Sequence, residues 1–164
     1  MTAKLGKITE VSLNLPFGIG GVVWEPDKRE KEAAWGLYVE LVTRIAVQHL
    51  AVDRGLVREA LTSLYSLFES TRGILRKAGP KVGISPDSVG GIAIAVLNQG
   101  LRPFLSKWHP VLHEWENERP SDRSAKEHEG QWKHAKAVRD ELETLRGDLE
   151  QYADALAEIA GLKQ

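Results

Sequence analysis

Residues 135–159 read Ala-Lys-Ala-Val-Arg-Asp-Glu-Leu-Glu-Thr-Leu-Arg-Gly-Asp-Leu-Glu-Gln-Tyr-Ala-Asp-Ala-Leu-Ala-Glu-Ile. Ala135, Val138, Leu142, Leu145, Leu149, Tyr152, Leu156 and Ile159 recur alternately three and four residues apart. That spacing lines one side of a long helix with a narrow apolar seam, and such a seam must be covered by other helices. The reading is a mainly α-helical chain, and the rest of the sequence supplies the partners. The helix carrying the seam is expected over 122–161, opened by Ser121 or by the capping box of Ser124 with Glu127.

Asp27 and Glu30 form a second capping box, which predicts a helix over 27–50 burying Ala34, Leu37, Tyr38, Leu41, Val42 and Ile45. A third helix is expected over 53–77 with Asp53 as its cap; its stripe is Val57, Leu61, Leu64, Phe68 and Leu75, with Thr71 in the one gap. Glycines and prolines between Lys77 and Ser88 mark a connection. The next helix spans 86–117, with Ser85 as cap and Pro86 at the first helical position, where its missing N–H costs nothing. Gly100, Pro103 and Pro110 interrupt its apolar face, which predicts a kink or a break near Gly100–Pro103. Four helices with short connections pack most simply as an antiparallel four-helix bundle within a single domain, 1–164. Ahead of them, residues 8–15 alternate as a strand, Pro16–Gly21 supplies turn residues, and Val22–Trp24 can return. The N-terminal arm, 1–25, is therefore expected to be a short hairpin that leans on the helices.

Composition narrows the function. At 164 residues with 42% hydrophobic content, the chain can bury a core without disulfides or a structural metal. Cysteine is absent, which excludes disulfides, thiolate nucleophiles and sulfur-rich zinc sites. A formal charge of −1 gives no global field to attract nucleic acid or an acidic membrane. The longest apolar run, Ile92–Leu97, is far short of the ~20 residues that span a bilayer, and the first residues lack a secretory signal. A cytoplasmic protein is expected.

No nucleotide or cofactor motif survives inspection. Gly18-Ile19-Gly20-Gly21 has Val23 where a dinucleotide fingerprint needs its third glycine, and neither a Gly-Lys-Ser/Thr triplet nor a Gly-x-Ser-x-Gly elbow occurs. No cofactor is expected. His109 and His113 stand four apart beside Glu114, Glu116 and Glu118, so both imidazoles can share a helix face. Pro110 lies between them and two histidines leave a metal shell incomplete, so the expectation is no metal site.

Arg123-Ser124-Ala125-Lys126-Glu127-His128 places an arginine and a histidine at the head of the last helix. This pattern resembles the active-site motif of the HEPN ribonucleases, all-helical domains that usually pair two protomers to complete one site. The resemblance implies that His128 would handle a proton of the RNA 2′-hydroxyl or leaving oxygen while Arg123 steadies phosphate charge, without metal. Arg44 and His49 meet the same spacing.

Five tryptophans are more than a bundle of this size needs. Trp108 and Trp115, seven residues apart on one face, suit either core packing or a partner surface, and tryptophan with arginine is a usual hot-spot composition. Arg72, Arg76, Lys77 and Lys81 form a small basic patch. The leading expectation is a non-enzymatic interaction module, an adaptor or regulatory subunit that binds a protein partner through Trp108, Trp115, Arg72 and Arg76, possible also as a homodimer and without nucleic acid. The ribonuclease built on Arg123 and His128 is the alternative. A membrane-active bundle, suggested by fold-level analogy with cell-death effectors and by the apolar arm from Leu15 to Trp24, is the third.

Overall fold

The computed structural model describes residues 10–44, 47, 49–51 and 54–162. It is mainly helical, with a two-stranded antiparallel hairpin at the N-terminal end. Strands β1 (Val11–Leu15) and β2 (Gly20–Trp24) pair from Val11 with Trp24 to Leu15 with Gly20. Alternation does what the sequence implies: Leu13, Leu15 and Val22 are buried while Ser12, Asn14 and Val23 face out. Phe17 takes the left-handed conformation, φ 62°, which is uncommon for a bulky residue. Its ring lies on Gly100, so closely that a Cβ there would meet ring atoms at 2.9 Å. The hairpin thus leans on the helices through its turn, and Gln151 adds a side-chain hydrogen bond to the Asn14 carbonyl, 2.8 Å.

Helix α1 (Lys28–Val42) opens with the expected capping box of Asp27 and Glu30. It ends at Val42 rather than near Leu50, because β-branched residues crowd this stretch and the Thr43 hydroxyl bonds back to the Val39 carbonyl at 2.7 Å. Ile45, expected on its buried face, lies outside the described residues.

Helix α2 (Val57–Ala78) starts later than 53, with Leu56 at the cap position, and Asp53 lies outside the described residues. Leu56 has no side-chain oxygen to offer, so the first amides are met by glutamates instead: Leu56 N–H by Glu59, 3.3 Å, and Val57 N–H by Glu129, 2.9 Å. Gly79, at φ 91°, closes the helix ahead of the 3₁₀ turn Pro80–Gly83.

Helix α3 (Val89–Ala95) is capped by Ser88, whose hydroxyl accepts from Gly91 N–H, and not by Ser85 with Pro86. Residues 85–87 instead form a turn folded against the helix. A Cβ on Gly91 would come 2.3 Å from the Ser85 carbonyl, so only glycine admits this approach. Buried Glu30 completes the junction by accepting from Val89 N–H, 3.1 Å, and from the Trp24 indole, 3.3 Å. One carboxylate thus ties the hairpin and the starts of α1 and α3 together.

A π-helical segment, Val96–Leu101, links α3 to α4 (Arg102–Asn117), which contains Pro110. The expected single helix over 122–161 is two: α5 (Ala125–Gly130), opened by the Ser124–Glu127 capping box, and α6 (Ala135–Ile159). The break follows Gly130, a weak helix former, and turns Trp132 into the core at 5% exposure. Along α6, Val138, Leu142, Leu145, Leu149, Tyr152, Leu156 and Ile159 are all buried. Gly161, at φ 79°, and Leu162 close it by bonding back to the Glu158 and Ala157 carbonyls. Helix α1 packs against α6 and α2, α2 against α4, and β1 against α6 around one continuous apolar cluster.

Candidate functional site

Three regions hold the residues singled out in the sequence. The first is the joint between α4 and α5. Trp115 and His128 stack with ring centroids 4.2 Å apart and planes 3° from parallel. Each ring donates to the other residue's backbone: the Trp115 indole to the His128 carbonyl at 3.0 Å, and His128 Nε2 to the Trp115 carbonyl at 2.6 Å. His128 is only 3% exposed, and its Nδ1 is buried without a hydrogen-bond partner. Arg123 is half-buried in the preceding loop, where its carbonyl accepts from Arg119. Glu127 turns back to its cap; the Ser124 backbone and hydroxyl, and then the Arg123 charge, hold its carboxyl below the usual range. The other arginine–histidine pair is divided between neighbours: Arg44 pairs with Glu40, and exposed His49 with Glu143.

The same joint buries Trp108, at 5% exposure. Its indole donates to Glu141, 2.8 Å, and it meets Trp132 and His134 edge-on at 5.9 and 5.7 Å. Lys107 pairs with Glu141 and lies 4.7 Å from the Trp108 ring centroid. Lys107 first, and the Trp108 indole after it, hold the Glu141 carboxyl below its usual range. Beside this cluster, Glu129 caps α2 and pairs with Arg139 at 2.8 Å, both largely buried; Arg139 also reaches the carbonyls of Ala51 and Gly55. Residues 128–132 therefore hold α2, α4 and α6 together.

The second region is the seam between α2 and α4. Arg58 makes a two-pronged bond to Glu116, 2.8 and 2.7 Å, and donates to His109 Nδ1 at 3.0 Å. Tyr65 meets the His109 ring edge-on at 5.1 Å, and the His109 and His113 rings are parallel with centroids 6.3 Å apart. One nitrogen of His109 is thus already spent on an arginine. Among the described residues no group of three or more metal-ligating side chains gathers.

Further along, Tyr65, Phe68, Glu69 and Arg72 of α2 face Arg102 and Leu105 of α4 across a half-open groove of about 300 Å³. Arg72 and Arg102 both lie over the Phe68 ring, 5.7 and 5.1 Å from its centroid. Asn98 accepts from Arg102 Nε at 3.2 Å, which steadies the guanidinium in the groove wall. Arg72 has a loose ion pair with exposed Glu69, 3.8 Å. The sequence pointed to Arg72 and missed Tyr65 and Arg102. Phe68 and Arg72, one helical turn apart, were the only local signal; Arg102 joins them through tertiary packing alone. Arg76 lies outside this groove, on a shallow apolar surface with Leu75, Pro80 and Ile94.

The third region is the outer face of α1. Trp35 is 50% exposed and Val39 38%, one turn apart, and the Trp35 ring stacks on Tyr38 with centroids 6.0 Å apart. Half-buried Val42 extends the stripe. Tyr38 and Val42, expected on the buried face of α1, are half-buried and pack against the core at the edge of this face, whereas Trp35 stands out in the sequence only as one tryptophan of five.

These regions can stack, clamp and bind. Among the described residues no serine or threonine hydroxyl is hydrogen-bonded to a histidine; the Ser66, Ser70 and Ser88 hydroxyls donate to backbone carbonyls. Likewise, no described helix is long and apolar enough to cross a membrane. Compared with known proteins, the chain matches no protein family, no curated protein and no solved structure.

Proposed function

We propose that this chain is a non-enzymatic protein-interaction module, an adaptor or regulatory subunit, whose α1, α2, α3–α4 and α6 pack as an antiparallel four-helix bundle. It binds its partner through the outer face of α1. The observation that carries this reading is Trp35, half exposed at one end of α1's outer face, with exposed Val39 one turn on and its ring stacked on Tyr38. An indole buries a large apolar area on binding, and tryptophan is enriched among binding hot spots. Trp108 and Trp115, the anchors expected from sequence, donate their indole N–H groups within the chain, which favours α1 as the contact surface.

The ribonuclease alternative finds less support in the geometry. A general base must reach the proton it removes, whereas the His128 ring is sandwiched against Trp115 with Nε2 donating to a carbonyl.

The test compares the wild-type chain with Trp35→Ala and Val39→Asp as bait in extract of the source cell. A discrete partner retained by the wild type and lost by both variants, with helical circular dichroism unchanged, is the expected result. Cleavage of a mixed RNA substrate in chelator by the wild type, abolished in Arg123→Ala, would replace this reading with the ribonuclease.

A further inference from the structure

The α2–α4 groove differs in kind from the apolar α1 face. Arginines from two helices lie over one phenylalanine ring, Arg102 using its Nε on Asn98 and Arg72 meeting only the loose Glu69 pair. Holding them this way lowers the rotamer entropy that free surface arginines lose on binding. Tyr65, at 44% exposure, offers an amphipathic ring in the same groove, and Leu105 forms its floor at 2%. The ligand that complements such a surface carries carboxylates spaced by apolar side chains.

We propose that this groove is a second binding site, for an acidic segment of a partner protein, in which Arg72 and Arg102 take carboxylates and Tyr65 takes an adjacent apolar side chain. Glu69 supports the choice of carboxylate: a glutamate of the chain itself approaches Arg72 at 3.8 Å, in a loose and exposed pair that an incoming acid can replace. Charge also separates the candidates for occupant. A nucleic-acid strand brings a continuous row of phosphates and needs a broad basic surface, but Glu69 lies in this groove, Glu116 lies along the same seam, and the whole chain carries −1. A peptide with a few carboxylates meets the two arginines and avoids the rest. With the α1 face, this gives the molecule separate apolar and cationic surfaces, as a protein that bridges two partners requires. The site stands independently of the Trp35 reading.

The experiment is fluorescence anisotropy with a labelled peptide of alternating glutamate and leucine, set against the same peptide with glutamine for glutamate. The full-length chain should bind the acidic peptide and not the neutral one, more weakly as salt rises. Arg72→Gln and Arg102→Gln should each reduce affinity about tenfold, the loss expected for one charge-assisted hydrogen bond. Tyr65→Ala should weaken binding too, while Arg76→Gln, outside the groove, and Trp35→Ala, on α1, should leave it unchanged. All five positions are exposed, so each variant should fold, which circular dichroism checks. Failure of the acidic peptide to bind, equal binding of the neutral peptide, an equal loss in Arg76→Gln, or a single-stranded RNA oligonucleotide binding more tightly at the same arginines would each overturn the proposal. Loss of peptide binding in Trp35→Ala would do so as well, by placing the contact on α1. The α1 reading is tested separately by the bait comparison, so either proposal can fail alone.

Discussion

Trp108 and Trp35 both sit in helical stretches among charged residues, yet one is 5% exposed and the other 50%. The inward ring belongs to a joint in which every neighbour is committed: Glu141 accepts its N–H, Trp132 and His134 abut its edges, and Lys107 lies over its face. The outward ring stacks on Tyr38, and among the described residues its indole N–H meets no protein acceptor. Trp24 and Trp115, like Trp108, donate to acceptors from other elements. The difference teaches that tryptophan content does not locate a binding surface; the exposure left after packing does. A buried indole with an acceptor inside the chain is committed there, whereas an exposed one bonds to water until a partner arrives.

Substitution can break this contrast at several strengths. Trp108→Ala should have the largest effect, lowering unfolding free energy by about 4 kcal/mol in urea titration, since it empties a large core volume and strands Glu141. Glu129→Ala should follow at about 3 kcal/mol, because it leaves Arg139 in a largely buried position without its carboxylate and removes the remote cap on α2. A loss below about 1 kcal/mol there would mean that water replaces the pair and that the joint is not a fixed element. Trp115→Phe retains a ring over His128 but deletes one of the two reciprocal hydrogen bonds; about 1 kcal/mol is expected from thermal or chemical denaturation. Trp35→Ala should change stability by less than about 0.5 kcal/mol while abolishing partner capture, the reverse of the inward series.

The smallest change should come from acid. The Glu141 carboxyl is held below its ordinary 4.5 by Lys107 and then by Trp108, so its folded value is depressed relative to the unfolded one. Its contribution is fully present above the unfolded value and is lost as pH falls through the lower folded value. Trp108 fluorescence should therefore shift only below pH 4.5, and in Lys107→Met the shift should begin at higher pH.

What the sequence disclosed was local. The α6 seam follows from a period that no tertiary contact has to supply, and all its positions from Val138 to Ile159 are buried. The capping boxes at Asp27–Glu30 and Ser124–Glu127 likewise close within a single turn. The hairpin was legible for the same reason. The break at residues 131–134 was not, because nothing nearby in sequence shows that Trp132 must turn toward Trp108. Ser88 displaced Ser85 as a cap through the close approach of Gly90 and Gly91 to the preceding turn, a contact set by packing. Glu30 reads as a local capping-box partner and Glu129 as an acid of the short α5, yet each is buried and caps a helix distant in sequence, 59 and 72 residues away. The groove was out of reach in the same way, since Arg102 and Phe68 meet only once α4 lies on α2.

The most direct measurement places a photo-reactive phenylalanine analogue at position 35, and separately at position 132, in the chain expressed in its source cell. Irradiation should give a discrete covalent adduct with another protein from position 35 and none from buried position 132. No adduct from position 35, with the chain folded and abundant, would contradict the assignment of the α1 face as the surface on which this protein works.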